Sequence, residues 1–294
     1  MKKNKISFSK KQSAYKKYSR SKAVSFIMYF ILILAGLFTI LPLVYSVSTS
    51  FKPLDELLKF PPSFFVVRPT MQNYLQLPSI ISGLGVPLSR YVFNSLFVSI
   101  VTTVGHVIIA SMAAFSMSKG RYKGVGIIFL IVQFSLLYNY YTLAVPQYII
   151  MSKLKMVDTY LVYILPYLPS SLGVFLIKQY MDGSIPDPLL EAAYIDGAGS
   201  FKMFWRIVMP NAKPAWMTLI MFAFRDLWSL QPSGTIFSEK LKLLPNVMST
   251  IINGGIARSG SAMAAMVILM IPPIIIYMVS QSSVTETMTT SGIK

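Results

Sequence analysis

Four long stretches of the sequence contain no Asp, Glu, Lys or Arg, and they limit the possible folds more than any other feature. A helix needs roughly 20 consecutive apolar residues to cross the hydrocarbon core of a bilayer. Each of the four stretches exceeds that length, and each therefore predicts a membrane-spanning helix. They run over residues 23–51, 91–118, 124–152 and 259–285.

Two shorter stretches add to this count. Residues 159–177 carry no charge and are just long enough to cross, and residues 215–230 are apolar except for Arg225 and Asp226. Apolar residues make up 54% of the chain and charged residues only 13%, whereas soluble domains carry about 25% charged residues. The sequence therefore predicts an all-α polytopic membrane protein with six transmembrane helices.

The basic residues predict the orientation. Nine of the 27 Lys and Arg residues lie within residues 1–22, and no acidic residue precedes Asp55. If the N-terminus lies in the cytoplasm and six helices follow, the cytoplasmic segments hold 17 basic residues and the external segments hold 9. Because Lys and Arg concentrate in cytoplasmic loops, we expect a multi-pass protein of the cell membrane with both termini in the cytoplasm.

Under this topology the chain has a basic cytoplasmic tail, a six-helix membrane domain and a short cytoplasmic C-terminal tail. Within the membrane domain, a proline-rich external segment after the first span is expected to form short interfacial helices and turns. A longer cytoplasmic loop joins the fourth and fifth spans. The bounds are 1–22, 23–283 and 284–294 for the three parts, 52–89 for the external segment and 183–214 for the cytoplasmic loop.

The residue types that the sequence lacks exclude several kinds of chemistry. It has no cysteine, which removes disulfides, thiolate metal sites and cysteine nucleophiles. Its one histidine, His106, lies in an apolar stretch, where we expect a packing role because one imidazole cannot form a metal cluster. There is also no G-x-x-x-x-G-K-[ST] phosphate-binding loop. We therefore expect no catalytic residue, metal or cofactor on this chain.

The cytoplasmic loop 183–214 has the pattern of two short helices joined by a sharp turn. Asp187 can cap the first helix, with Pro188 in its first helical position. Gly197 and Gly199 are expected to end that helix, since glycine tolerates the left-handed conformation found after helix ends.

The second helix of this loop is expected to follow at once. Ser200 can cap it, and it runs through Val208 until Pro210 and Pro214 stop it. The two helices carry much apolar surface outside the bilayer, which needs a cover. They can pack on their own bundle or lie in the membrane interface, or they can dock in a groove of a partner protein. The residues alone leave both alternatives open.

Three sequence elements occur in register in this loop. They are Glu191-Ala192-Ala193, Asp196-Gly197-Ala198 and Ile207-Val208-Met209-Pro210. The pattern resembles the EAA loop of binding-protein-dependent ABC importers, with Met209 where leucine is usual. In that family the loop forms coupling helices that sit in a cleft of the ATPase subunit. The resemblance implies this ATPase-coupling role for Glu191, Ala192, Ala193, Asp196, Gly197, Ile207 and Pro210.

The whole chain is similar to carbohydrate-type permeases of this family, in particular to the second permease of maltose-type systems. Within that group it resembles permeases for complex or plant-derived oligosaccharides, and residues 288–294 are similar to the family's C-terminal tail. The resemblance implies a heterodimer with a second permease subunit, two ATPase subunits that bind ATP and Mg, and an extracellular solute-binding protein. A peptide, phosphate or polyamine importer would carry the same loop, so the solute stays open.

Two other function classes agree less well with the sequence. A membrane enzyme needs converging acids, histidines or a metal site, but the ten acidic residues are scattered along the chain. A secondary transporter or channel needs intramembrane carboxylates for ion coupling, and only Asp226 qualifies. A secondary transporter or channel would also not need the loop at 187–210.

Two clusters are candidates for the substrate pathway. Sugar sites pair aromatic faces with polar groups, and ionisable residues inside a membrane are functional candidates. The third span carries an aromatic and polar run, and the fifth carries two adjacent charges near a tryptophan. These two charges need not pair with each other, because neighbouring residues on a helix point about 100° apart. The alternative is a place in the interfacial aromatic belt. The candidates are Tyr138, Asn139, Tyr140, Tyr141, Arg225, Asp226 and Trp228.

Overall fold

In the part of the chain that the computed structural model describes, the protein consists of helices joined by turns and loops, and no β-strand occurs there. The chain divides into two units, residues 1–45 and 46–294. The described residues are 22–120, 122–138, 140–231, 234–255 and 258–291. The expected N-terminal tail therefore lies almost wholly outside the described residues, and so does the end of the expected C-terminal tail.

Fourteen α-helices are numbered here in chain order within the described residues. Their bounds are α1 Lys22–Ser50, α2 Leu54–Leu57, α3 Gln72–Ser82, α4 Leu88–Lys119, α5 Val125–Ser135, α6 Tyr140–Lys153, α7 Leu161–Ile164, α8 Ser171–Ser184, α9 Asp187–Ile195, α10 Ser200–Met203, α11 Met209–Asn211, α12 Lys213–Trp228, α13 Leu244–Ile252 and α14 Ser259–Ser291. Short 3-10 turns at Leu165–Tyr167 and Glu239–Leu241 and a π turn at Phe204–Val208 join some of them.

Four helical segments of the described chain are long and apolar enough to cross a membrane. They contain 27, 32, 24 and 27 residues and run over Val24–Ser50, Leu88–Lys119, Leu161–Ser184 and Ser259–Thr285. The third of them combines α7, the following 3-10 turn and α8. These segments correspond to the first, second, fourth and sixth spans that the sequence predicts.

The third predicted span is not one continuous helix. Its apolar stretch is divided between α5 and α6, which is a correction to the expectation. At the end of α5 the Ser135 hydroxyl donates to the carbonyl of Val132 at 2.7 Å, and its Oγ lies 2.5 Å from Ser171 Oγ. Because hydroxyls that bond to nearby backbone compete with the helical ladder, this contact gives a local reason for the helix end.

The fifth predicted span is α12, a helix of 16 residues. At 1.5 Å per residue it reaches about 24 Å, less than the roughly 30 Å of a hydrocarbon core. It packs against α4 on one side and α14 on another, and much of its apolar surface is buried inside the bundle. The described chain thus has four helical segments long enough to cross a membrane, together with α5, α6 and α12 in the places of the third and fifth predicted spans, and the fold is that of an all-α polytopic membrane protein.

The centre of the bundle depends on close approach between α4, α8 and α12. A methyl group added at Gly173 of α8 would lie 2.6 Å from Ser170 Oγ, 2.8 Å from Leu219 Cδ2 and 3.0 Å from Ala110 Cβ. Small residues let helix backbones approach in membranes, where van der Waals contact rather than the hydrophobic effect drives association. Glycine is therefore required at this position by packing.

His106 has the packing surroundings that the sequence predicts. It lies on α4, and its Nδ1 is 2.6 Å from the carbonyl oxygen of Tyr167 in the 3-10 turn before α8. The imidazole thus joins the second and fourth spanning segments.

The segment after α1 contains the short helices α2 and α3, as expected, and it is organised around two buried charged side chains. Lys52 is 2% exposed and Glu56 is 6% exposed. The Lys52 ammonium donates to the carbonyl of Ser63, and Glu56 accepts from the backbone N–H groups of Val67 at 2.9 Å and Arg68 at 3.3 Å. These bonds fix the loop between α2 and α3 in one conformation.

Candidate functional site

The loop that resembles the EAA segment begins with α9, whose start differs from the expectation. Pro186 occupies the cap position in an extended conformation, and Asp187 is the first residue of the helix rather than its cap. The carboxylate of Asp187 accepts a hydrogen bond from Lys119 Nζ at 2.8 Å. Pro186 supplies the extended conformation that a cap residue needs. The Asp187 carboxylate instead joins α9 to the end of α4 through its ion pair with Lys119.

The end of α9 is a Schellman motif. Gly197 has a φ of +78°, its N–H donates to Tyr194 O at 3.0 Å, and the N–H of Ala198 donates to Ala193 O at 2.9 Å. These are the two bonds that define the motif, and the left-handed residue in it is normally glycine. The last residue of α9 is Ile195, and Gly197 makes the turn that follows, which confirms the predicted role of Gly197 in ending the helix.

The second helix of the loop is irregular. It consists of α10, the π turn and α11, and Ser200 is its first residue, with Gly199 rather than Ser200 in the cap position. The two prolines that were expected to stop this helix do not do so. Pro210 lies within α11, and Pro214 lies within the first turn of α12. In a first helical turn the missing N–H of proline has no partner to lose, so both prolines start new helical pieces.

A small core holds the two helices together. Ala193, Ala198 and Met203 are buried, and Leu190 and Ile207 pack partly buried against them. Ala193 and Ile207 of the predicted coupling set therefore face this internal core. The other five members of that set are exposed: Glu191, Ala192, Asp196, Gly197 and Pro210.

The exposed side of the hairpin is strongly apolar beside these residues. Tyr194 is 73% exposed, Ile195 84% and Phe201 69%. Large apolar side chains that stand out in this way outside a spanning segment mark a surface used for contact with another molecule. The structure therefore places the motif residues and an uncovered apolar surface on the same hairpin.

An open cleft of about 980 Å³ separates α9 from the end of α4. Its wall on the α4 side includes Phe115, Lys119 and Tyr122, and its wall on the α9 side includes Glu191 and Tyr194. Lys119 was missing from the sequence-predicted set. In the sequence Lys119 is only one of several basic residues in a short turn. Its partners Ile185 and Asp187 lie 66 and 68 residues further along the chain, so no local pattern indicates the contact.

The candidate substrate residues lie in different surroundings. Tyr138 is 66% exposed, Asn139 lies outside the described residues, and Tyr140 and Tyr141 form the first residues of α6. Tyr138 does not line the cleft beside α9.

The candidates on α12 differ from one another in burial. Arg225 and Asp226 have side chains 71% and 67% exposed, and Arg225 Nε is 3.6 Å from Asp226 Oδ1, so the two charges are neighbours after all. Trp228 is only 4% exposed. Its Nε1 donates to Leu269 O at 2.9 Å, and its ring stacks on Phe224 with centroids 5.9 Å apart. Trp228 thus fixes the end of α12 against α14, and the two charges next to it are presented outward.

Comparison with known families decides the assignment. The family model described as "Binding-protein-dependent transport system inner membrane component" matches residues 127–289, which is more than half of the chain. The chain belongs to this family. The matched region includes the whole hairpin and the helices from α6 to α13, whereas α4 precedes it. A binding-protein-dependent permease of this family is the membrane component of an ABC importer, and a multi-pass chain is what that role needs.

Individual relatives agree with the family. The permease is 28% identical over 247 residues to the arabinooligosaccharides transport system permease protein AraQ of Bacillus subtilis (strain 168), covering 83% of this chain and 87% of AraQ. It is 29% identical over 278 residues to the sulfoquinovosyl glycerol transport system permease protein SmoH of Agrobacterium fabrum (strain C58 / ATCC 33970), covering 93% and 94% of the two chains.

A solved structure supports the fold. The permease superposes with a TM-score of 0.74 on a chain of a bacterial ABC transporter involved in the import of the acidic polysaccharide alginate. The match covers 90% of this chain and 98% of that chain at 21% sequence identity. At that identity the likeness shows the fold alone.

Proposed function

We propose that this importer permease forms half of the translocation pathway for an oligosaccharide and is coupled to a separate ATPase through residues 187–210. The observation that carries the coupling role is the hairpin itself. It has a closed internal core, a rigid Schellman end and an exposed side where Glu191 lies close to Tyr194 and Ile195. A preformed apolar hairpin of this kind suits insertion into a groove of a partner.

The saccharide cargo is proposed from the relatives. AraQ is named for arabinooligosaccharides and SmoH for sulfoquinovosyl glycerol, and both are sugar derivatives rich in hydroxyl groups. We assign the pathway to the exposed charges at the end of α12, Arg225 and Asp226, and to the aromatic run from Tyr138 to Tyr141, which includes Asn139 and Tyr140. Trp228 belongs to this set because it holds the α12 charges in position.

The other subunits of the complex are inferred from the general composition of importers of this type. The permease pairs with a second permease subunit, two ATPase subunits bind ATP and Mg, and an extracellular solute-binding protein delivers the cargo. This chain binds no cofactor of its own, and both of its termini lie in the cytoplasm. Closure of the ATPases moves the hairpins and converts the pathway from inward to outward facing, and the loaded receptor must prefer one of these states for transport to be coupled.

The coupling role is tested by reversing one charge on the exposed side of α9. The complex is purified from its native host through a tag on this chain, and its ATPase rate is measured with and without receptor and arabino-oligosaccharide. We expect the loaded receptor to stimulate the wild-type complex, and Glu191→Lys to abolish the stimulation or release the ATPase. Asp55→Lys makes the same charge change in the segment between α1 and α3 and is expected to keep the stimulation. A complex without any ATPase, together with a silent Glu191→Lys, contradicts the proposal.

A further inference from the structure

One ammonium group contacts both sides of the junction between α8 and α9. Lys119 is the last residue of α4, and its side chain is only 10% exposed. Its Nζ donates to Ile185 O at 2.7 Å and to Asp187 Oδ1 at 2.8 Å. These two acceptors lie on either side of Pro186, so one cation joins the end of α4 to both sides of the two-residue link between the helices.

The residue before Lys119 makes a second connection at the same place. The Ser118 hydroxyl donates to Asp182 Oδ1 at 2.5 Å, and the Lys178 ammonium donates to Asp182 Oδ2 at 2.6 Å. Asp182 lies in the last turn of α8. Consecutive residues of α4 therefore bind the end of α8 and the start of α9, and we call the contacts of Ser118 and Lys119 the α4 strap.

The strap matters because, in addition to the packing of Leu190 on the apolar core to which α4 contributes, it gives the start of α9 a polar contact with the end of α4. The cleft of about 980 Å³ opens between them, with Lys119 and Asp187 both on its wall. The link residues Ile185 and Pro186 are extended, with ψ angles of 105° and 138°. An extended two-residue link lets a short helix change its angle, whereas a nearly buried ammonium with two acceptors resists that change.

We propose that Lys119 is a positioning residue that transmits movement of the coupling hairpin directly to α4. This inference rests on the proposed coupling role of α9. Helix α4 packs against α8 and α12 in the centre of the bundle, so a displacement of α9 carried by the strap reaches the helices that surround the pathway. Without the strap, α9 follows the ATPase while α4 stays behind, and ATP is hydrolysed with less transport.

The test compares transport per ATP hydrolysed in proteoliposomes that contain the complete purified complex. We expect Lys119→Met to lower this ratio at least about fivefold, the low end of typical coupling between sites, and Lys119→Arg to restore most of it because guanidinium can donate to the same two oxygens. Asp187→Asn keeps the carbonyl contact of Lys119 and is expected to give an intermediate ratio. A ratio in Lys119→Met equal to that of the wild type overturns the proposal.

A reversible bridge covers the case in which Lys119→Met does not assemble. The sequence contains no cysteine, so Lys119→Cys combined with Asp187→Cys creates the only thiol pair in the chain. A short bis-methanethiosulfonate reagent joins the two thiols. We expect the bridged double variant to transport more solute per ATP hydrolysed than the unbridged one. A reductant that removes the bridge should return the ratio to its unbridged value. An unbridged double variant that is already fully coupled overturns the inference.

The experiments distinguish a failure of the proposed role of Lys119 from a failure of the proposed transport function. If the wild-type complex shows no ATP-dependent uptake, or Glu191→Lys leaves coupling intact, the proposed function fails. If both of those tests succeed and Lys119→Met still transports normally per ATP, only the role of the α4 strap fails.

Discussion

At the scale of single residues, the hairpin depends on one glycine whose backbone conformation other residues adopt only at a cost. Gly197 has a φ of +78°, and a methyl group added there meets nothing within 4 Å. The requirement is therefore conformational and not steric. Glycine suits this position because the backbone turns into the left-handed conformation immediately after α9.

Replacing this glycine has a definite expected effect. Gly197→Ala should cost about 1–2 kcal/mol, the price of a left-handed L-residue, and should loosen the end of α9, so that limited proteolysis cuts the hairpin faster. Gly183→Ala is the matched control, because Gly183 lies in α8 with a helical backbone and open space around it. Equal protease sensitivity of the two variants contradicts this account of α9.

A second residue-scale effect concerns Asp158, which lies between α6 and α7. The hydroxyl and N–H of Ser238 and the N–H of Phe237 donate to its carboxylate. The Ser238 hydroxyl bond is the largest cause of a lowered pKa of Asp158, and the backbone bonds add to it against the opposing effect of burial. A carboxylate whose pKa is lowered by folding stabilises the fold above its unfolded pKa, and that contribution is lost as the pH falls through the folded pKa.

We therefore predict that the 237–238 loop stays ordered at neutral pH and loosens only below a pH of about 3.9, the unperturbed value for aspartate. A spin label on Phe237→Cys in this cysteine-free chain reports the mobility of the loop. Asp158→Asn keeps an oxygen acceptor and the positive φ of 60°, which asparagine tolerates, and it should remove the pH dependence. A rise in mobility already near pH 6, or an unchanged profile in Asp158→Asn, contradicts the assignment.

At the scale of helices, hydropathy alone predicts the long charge-free spans but not the interruptions within them. The apolar stretch 124–152 contains no charge or glycine-proline signal at its centre, and the bond from Ser135 to Ser171 that accompanies the break joins residues 36 positions apart. The turn after α9 could be predicted because Gly197 acts locally, whereas Pro210 and Pro214 begin helical pieces where the sequence predicts a helix end. The α4 strap could not, because Lys119 and Asp187 meet only after the bundle has formed.

Helix packing around Gly173 gives a prediction on stability. Gly173→Val places new atoms against Leu219 and Ala110, both of which are buried, and overpacking of this kind typically costs about 1–3 kcal/mol. Thermal unfolding of the purified complex in detergent should show a lower Tm than wild type. Gly126→Val on α5, where nothing lies within 4 Å, is the control and should leave Tm nearly unchanged. Equal Tm values for the two variants contradict the packing described.

At the scale of the whole molecule, the charge distribution predicts an orientation that a labelling experiment checks. Lys202 lies in the hairpin and Lys240 in the 3-10 turn before α13. Single cysteines at these two positions are treated with a membrane-impermeant maleimide in intact cells. We expect labelling of Lys240→Cys only, and labelling of Lys202→Cys only after the membrane is opened. The reverse pattern contradicts the cytoplasmic position of the hairpin.

The central claim, that this permease carries a saccharide under ATP control, is tested most directly by uptake. The complete complex is reconstituted in proteoliposomes with ATP on the side of the hairpin, and labelled arabino-oligosaccharide bound to the receptor is supplied on the other side. We predict uptake that requires both ATP and receptor and that Glu191→Lys abolishes. Uptake of a peptide or phosphate ester in preference to the oligosaccharide, or oligosaccharide uptake that proceeds without ATP, would contradict the account.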